Sequence, residues 1–183
     1  MKSIQVRELM VPIEEYATTS ENATMLEAVL ALEKAQAEYD QSHYRHRAIL
    51  VYNDQNKIVG KVSQLDLIMA LEPEYGKLVD VRGLSRTGYS MDYFESLVQG
   101  GLWIKPLDDI CRKAAVMQVK NFMHTPKDGE YIKEDAELNA AVHQLIIGKH
   151  QSLLVIRGTD IVGVLRLTDV FKLVCDRIKE CGL

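Results

Sequence analysis

The residues of this chain that could do chemistry fall into two sets, a pair of aspartates and a run of basic side chains. Asp66 follows Ser63 by three residues, and Asp169 follows Arg166 by three. Each opens a stretch with helical patterning, where Asp is favoured as a cap and by the helix dipole. Ser63-x-x-Asp66 has the spacing of a capping pair. The basic run is Tyr44-Arg45-His46-Arg47, and its counterpart late in the chain is Lys149-His150-Gln151. Positive charge concentrated in this way suits a local anion site, and it equally suits the solvated edge of a loop. Arg45 and Arg47 would share one face of a strand.

Other chemistries find no constellation. His43 and His46 are three apart, but no Cys or carboxylate completes a ligand set, and His124, His143 and His150 are scattered, so no metal site is expected. Cys111, Cys175 and Cys181 fall on predicted helices, Cys175 on a stripe with Phe171, Val174 and Ile178. They read as buried structural thiols rather than nucleophiles with a placed base. There is no P-loop and no G-x-G-x-x-G. The expectation is a chain that is not an enzyme and requires no cofactor.

Composition bounds the partners. Lys plus Arg is 22 against 26 Asp plus Glu, a net charge of −4. A general nucleic-acid binder needs a basic face, so none is expected here. No apolar run approaches the roughly 18 residues that would span a bilayer, and the first residues hold no apolar signal core. Three cysteines without a C-x-x-C fit reduced thiols and a cytoplasmic location.

The elements that must position these residues occur twice. A shift of 113 places Met10 on Met123, Ala23 on Ala136, Ala28 on Ala141 and Leu32 on Leu145. A shift of 103 places Ile58-Val59-Gly60 on Ile161-Val162-Gly163, and Asp66 on Asp169. The first copy therefore holds extra residues around 33–46. Each copy begins with a short segment ending in Met. Next comes an amphipathic helix, striped by Met25, Ala28, Val29 and Leu32 or by Leu138, Ala141, Val142, Leu145 and Ile146. Two β-rich runs around a polar turn then read as a hairpin, and a second helix follows. The copies span 4–72 and 118–176, with the last helix running to about 181. The segment 73–117 is too long for a bare loop and reads as a helical insertion, with helices at 91–99 and from Pro106. Copies of this size are not expected to stand alone.

The Met-ending segments, the Ile-Val-Gly strand in both hairpins, and an Asp six residues after that Gly resemble a tandem pair of cystathionine-β-synthase (CBS) domains, a Bateman module, of the stand-alone bacterial type. The implied fold class is α+β with α/β character: two pseudo-symmetric β-α-β-β-α repeats packed together, with the helical insertion between them. The resemblance implies a regulatory module that binds an adenosine-containing ligand, AMP, ADP, ATP or S-adenosylmethionine, in clefts between its repeats. An ionised carboxylate is acceptor-only and matches the two ribose hydroxyls, so Asp66 and Asp169 are the implied ribose acceptors. Ser63 supplies the family's hydroxyl three residues earlier. Arg166 departs from that pattern and could fill the second cleft or contact a phosphate, and Thr168 could supply a hydroxyl instead. Arg45, Arg47 and His150 stand where phosphate contacts are implied. Ala17 and Thr18, and in the second copy Glu130 to Ile132, stand near the implied base contact. The resemblance also implies a homodimer acting on a protein target. The rival expectation is a scaffold of the same fold with ligand-free clefts, acting through dimerisation and the inserted helices.

Overall fold

A computed structural model of the protein describes residues 4–38, 46–71, 96 and 107–181. The elements run β1 (Val11–Pro12), β2 (Thr18–Ser20), α1 (Met25–Glu38), β3 (Ala48–Tyr52), β4 (Ile58–Ser63), α2 (Gln64–Leu71), α3 (Leu107–Val116), β5 (Tyr131–Lys133), α4 (Leu138–Gly148), β6 (Ser152–Arg157), β7 (Asp160–Arg166) and α5 (Leu167–Glu180). The two-copy pattern of helix, hairpin and helix is thus present. Of the expected insertion, α3 is described; the helix expected at 91–99 lies outside the described residues apart from Ser96, which is helical.

Local chemistry explains the elements. Thr24 and Glu27 close a capping box at the start of α1: Thr24 donates its amide (2.7 Å) and hydroxyl (2.9 Å) to Glu27, and the Glu27 amide donates back at 3.2 Å. Asn53 turns the first hairpin by accepting from the amides of Gln55 and Lys57. Lys113 of α3 donates to the Leu71 carbonyl at the end of α2 (2.7 Å), satisfying a group the helix leaves open.

Two sheets form, one in the order β2-β3-β4 and one in the order β1-β7-β6-β5. In each, the short strand pairs parallel with the first hairpin strand: Thr18 lies opposite Leu50, and Tyr131 opposite Leu154. The packing unit, however, is not the sequence copy. The segment before β1 crosses to the second copy: the amides of Val6 and Arg7 donate to the carbonyls of Ala136 and Glu134, both at 3.0 Å. The matching segment of the second copy crosses back, with Val119 and Lys120 donating to Ala23 and Glu21, both at 2.9 Å. Val6, fully buried, joins the core of Ile132, Leu145, Leu153, Val155 and Leu165. Val119, also fully buried, joins Ala28, Leu32, Ile49, Val51 and Val62. A third cluster of Val11, Tyr16, Leu50, Leu154 and Val164 draws on both copies.

The crossing requires glycine at the hairpins. A Cβ on Gly163 would stand 2.6 Å from the Val11 carbonyl oxygen, and one on Gly60 would stand 2.7 Å from Met123 Sδ. The shared Ile-Val-Gly therefore marks where the other copy's lead-in segment lies on the strand.

Three sequence expectations change. Cys111 and Cys181 are exposed and Cys175 is half-buried, so the cysteines are not buried structural thiols. The stripe of Phe171, Val174 and Ile178 faces outward, because α5 meets the core with Val170 and with Asp169 instead. Ile146 is exposed as well, since Ala141 and Leu145 suffice to cover the sheet on α4.

Candidate functional site

Both hairpins end where their second helices begin, on the groove between the copies. There a cavity of about 540 Å³ opens, within the range of small-ligand pockets. The structure brings Arg47, Ser63, Asp66, Arg166, Thr168 and His150 to its wall. It does not bring Ala17, Thr18 or Asp169 there. Ala17 is buried in the first core with its carbonyl accepting from the Leu50 amide, Thr18 lies exposed on β2, and Asp169 is buried behind the wall. Arg45 lies outside the described residues.

Asp66 is the third residue of α2. Its Oδ2 accepts from the Ser63 amide (2.8 Å) and the Ser63 hydroxyl (2.6 Å), while the Asp66 amide donates to Ser63 Oγ at 3.2 Å. The capping pair therefore exists, and it uses only one carboxylate oxygen. Asp66 Oδ1 accepts no hydrogen bond among the described residues.

Sequence reasoning missed Lys61, His124 and Lys127, all of which line the cavity. Lys61 pairs with Glu130 across the copies, Nζ to Oε2 at 2.5 Å. His124 Nε2 lies 2.6 Å from Glu130 Oε1, and the Lys127 amide donates to the same oxygen at 3.1 Å. Burial pushes the Glu130 carboxyl up, but these donors and the Lys61 charge outweigh it and hold the group at about 2. A signal for Lys61 was present: it is a lone cation in an apolar strand, and β7 carries Val164 at the equivalent place.

Positive charge dominates the wall. Lys61 is taken by Glu130 and Arg166 by Asp169, which leaves Arg47, Lys127 and Lys149 with no carboxylate partner among the described residues. Lys149 follows α4 with left-handed φ 52° and ψ 37°. His150 then folds over Gly148, where a Cβ would collide with its ring. This tight helix end sends both Lys149 and His150 to the cavity. No group of three His, Cys, Asp or Glu among the described residues could hold a metal ion, and none of their helices is long and apolar enough to cross a membrane.

The CBS domain family model matches residues 6–73. No curated protein sequence matches the chain. Among solved structures, the chain is similar to the CBS-pair protein CBSX2 from Arabidopsis thaliana, with a TM-score of 0.61 at 16% identity over 97% of this chain and 99% of that one. CBSX2 in complex with AMP matches at TM-score 0.57 and 18% identity, covering 94% and 96%. Protein MJ1004 from Methanocaldococcus jannaschii matches at TM-score 0.57 and 18% identity; 94% of this chain is covered, and it spans 60% of that protein. The crossed lead-in segments, the two hairpins facing one groove and these matches agree: residues 6–73 match the CBS domain model, and the chain has the fold of a CBS pair.

Proposed function

We propose that the protein is a regulatory module that binds an adenosine-containing ligand in the groove between its copies, with the ribose on Asp66. The observation that carries this is the Oδ1 of Asp66, which accepts no hydrogen bond among the described residues, in a groove where Arg47, Lys127 and Lys149 have no carboxylate partner among those residues. A carboxylate held by Ser63 through one oxygen keeps its other oxygen aimed for a hydroxyl donor. Arg47, Lys127 and Lys149 suit the phosphates, and His150 and Thr168 offer further polar contacts. The AMP complex of the structurally similar CBSX2 supports the choice of ligand class. The test is a thermal-shift and calorimetric panel of AMP, ADP, ATP, S-adenosylmethionine and NADH. A ligand at a hundredfold its dissociation constant adds about 2.7 kcal/mol of stability. Asp66→Ala is expected to weaken binding at least tenfold. No shift with any of the five would leave the scaffold reading, in which the clefts stay empty.

The ligand state is passed on through a homodimer to a protein target. The support is a set of apolar side chains on the second helices, Leu65 and Ile68 of α2 and Phe171, Val174 and Ile178 of α5, each 45% exposed or more. Light scattering is expected to give a dimer that Phe171→Glu splits into monomers.

A further inference from the structure

The repeat gives the chain two carboxylates in one geometry, each third in the helix that follows a hairpin. Their surroundings differ. Asp66 is half-buried at the cavity wall with one oxygen open. Asp169 is 8% exposed, and both its oxygens are taken: Oδ2 accepts from Arg166 Nε at 2.5 Å and Oδ1 from Arg166 Nη2 at 2.7 Å. Arg166 is itself 4% exposed, and its Nη1 lies 3.4 Å from Nδ1 of His46 in the other copy. His46 is fully buried and packs its ring on Tyr16, with centroids 4.5 Å apart. The second carboxylate is therefore buried and paired with Arg166 on its own copy, and Arg166 is backed by His46 of the other copy, whose ring packs on Tyr16.

A guanidinium presents two parallel N–H donors to a carboxylate, the same demand that two neighbouring hydroxyls would make. We propose that Arg166 is a built-in occupant of the place on Asp169 that a ligand's diol would take, so that the chain takes one ligand, at Asp66, and residue 166 sets the stoichiometry. An incoming diol would have to replace a bidentate, charge-assisted pair with two neutral hydrogen bonds of about half the strength. It would also leave the guanidinium buried against His46 without its counter-charge. Exchange therefore runs against the ligand at Asp169. At position 63 the first copy has Ser, whose amide and hydroxyl hold one oxygen of Asp66 and spare the other. The single change Arg166→Ser would let Asp169 be held in the same manner.

The inference takes its ligand class from the reading of Asp66, and the test separates the two. Calorimetry of the full chain with AMP, ADP, ATP and S-adenosylmethionine is expected to give one site per chain, lost in Asp66→Ala. Arg166→Ser is expected to give two, the second removed by adding Asp169→Ala. Two sites in the unaltered chain overturn the proposal, as does a single site that survives Asp66→Ala. A folded Arg166→Ser chain that still binds one ligand also overturns it. If Arg166→Ser fails to fold, the unaltered chain decides by its count and its dependence on Asp66. If the unaltered chain binds none of the four, the Asp66 reading fails. Arg166→Ser then decides alone: one site gained supports the occupant, and none gained overturns it.

Discussion

Lys149 shows how a single residue at the site costs stability. A side chain with a Cβ in the left-handed region is strained by about 1 kcal/mol relative to glycine. The α4 end needs that conformation, since the Lys149 amide donates to Ile146 and the His150 amide to Leu145 in a Schellman pattern. Glycine would satisfy the turn and remove a cation from the cavity wall. Lys149→Gly is therefore expected to raise unfolding stability by about 1 kcal/mol in urea titration while weakening AMP or ATP at least threefold. Loss of stability together with unchanged affinity would place Lys149 outside the site. Asp66 makes a contrasting case, because one carboxylate serves both the helix start and the groove through different oxygens.

Among the elements, the crossed lead-in segments carry the most consequence. Each hairpin receives the other copy's segment against its glycine, so the two glycines are a test of the crossing. On Gly163 an added methyl meets backbone, the Val11 carbonyl oxygen at 2.6 Å, which cannot swing away. On Gly60 the nearest atom is the flexible Met123 thioether, with the His124 carbonyl oxygen further off at 3.3 Å. Gly163→Ala is expected to cost about 3 kcal/mol and Gly60→Ala about 1 to 2, in the range of overpacked cores. Equal costs by thermal unfolding would argue that the two lead-in segments are not held as described. The hairpins and helices themselves follow from short-range pattern, with turn residues such as Asn53 and the box of Thr24 and Glu27 fixing their ends.

At the scale of the whole molecule, two buried groups bind the copies together and set the response to acid. His46 is lowered to about 4 from 6.5, first by burial and then by the Arg166 charge. The unfolded chain takes up that proton before the folded one, so stability is complete above about pH 6.5 and falls as pH drops toward 4. Glu130, held at about 2 against 4.5, stabilises the fold above pH 4.5 and loses its contribution as pH drops toward 2. Both act in the same direction in successive windows, each amounting to at most about 3 kcal/mol. Urea unfolding at pH 7, 5.5 and 4 is expected to show a steady decline that His46→Gln flattens. Glu130→Gln should leave that interval nearly unchanged and flatten the decline below 4.5. A profile insensitive to His46 would mean that the histidine is already charged in the folded protein.

How much of this could be read from the residues differs by range. The repeat is written in the 113- and 103-residue offsets, and the order of helix, hairpin and helix and the placement of Asp66 and Asp169 at helix starts in short-range periodicities and spacings, and those survive folding unchanged. Ser63, Arg47, Arg166, Thr168 and His150 were locatable at the groove because each flanks such an element. Lys61 and His124 were not, since their meaning lies in Glu130, which reaches Lys61 from another copy. The same holds for the crossing of the lead-in segments, which the 113-residue offset leaves undetermined: each copy's segment could cover its own core or its neighbour's. Likewise the spacing Arg166-x-x-Asp169 permits a ligand contact or an internal pair. Burial of the pair, with Arg166 against His46 of the other copy, decides it, because in a low-dielectric enclosure a charge is kept only with its partner. The sequence by itself determined two similar units with a carboxylate at the same place in each. Only the tertiary structure decided that one carboxylate is open to the groove and the other already taken.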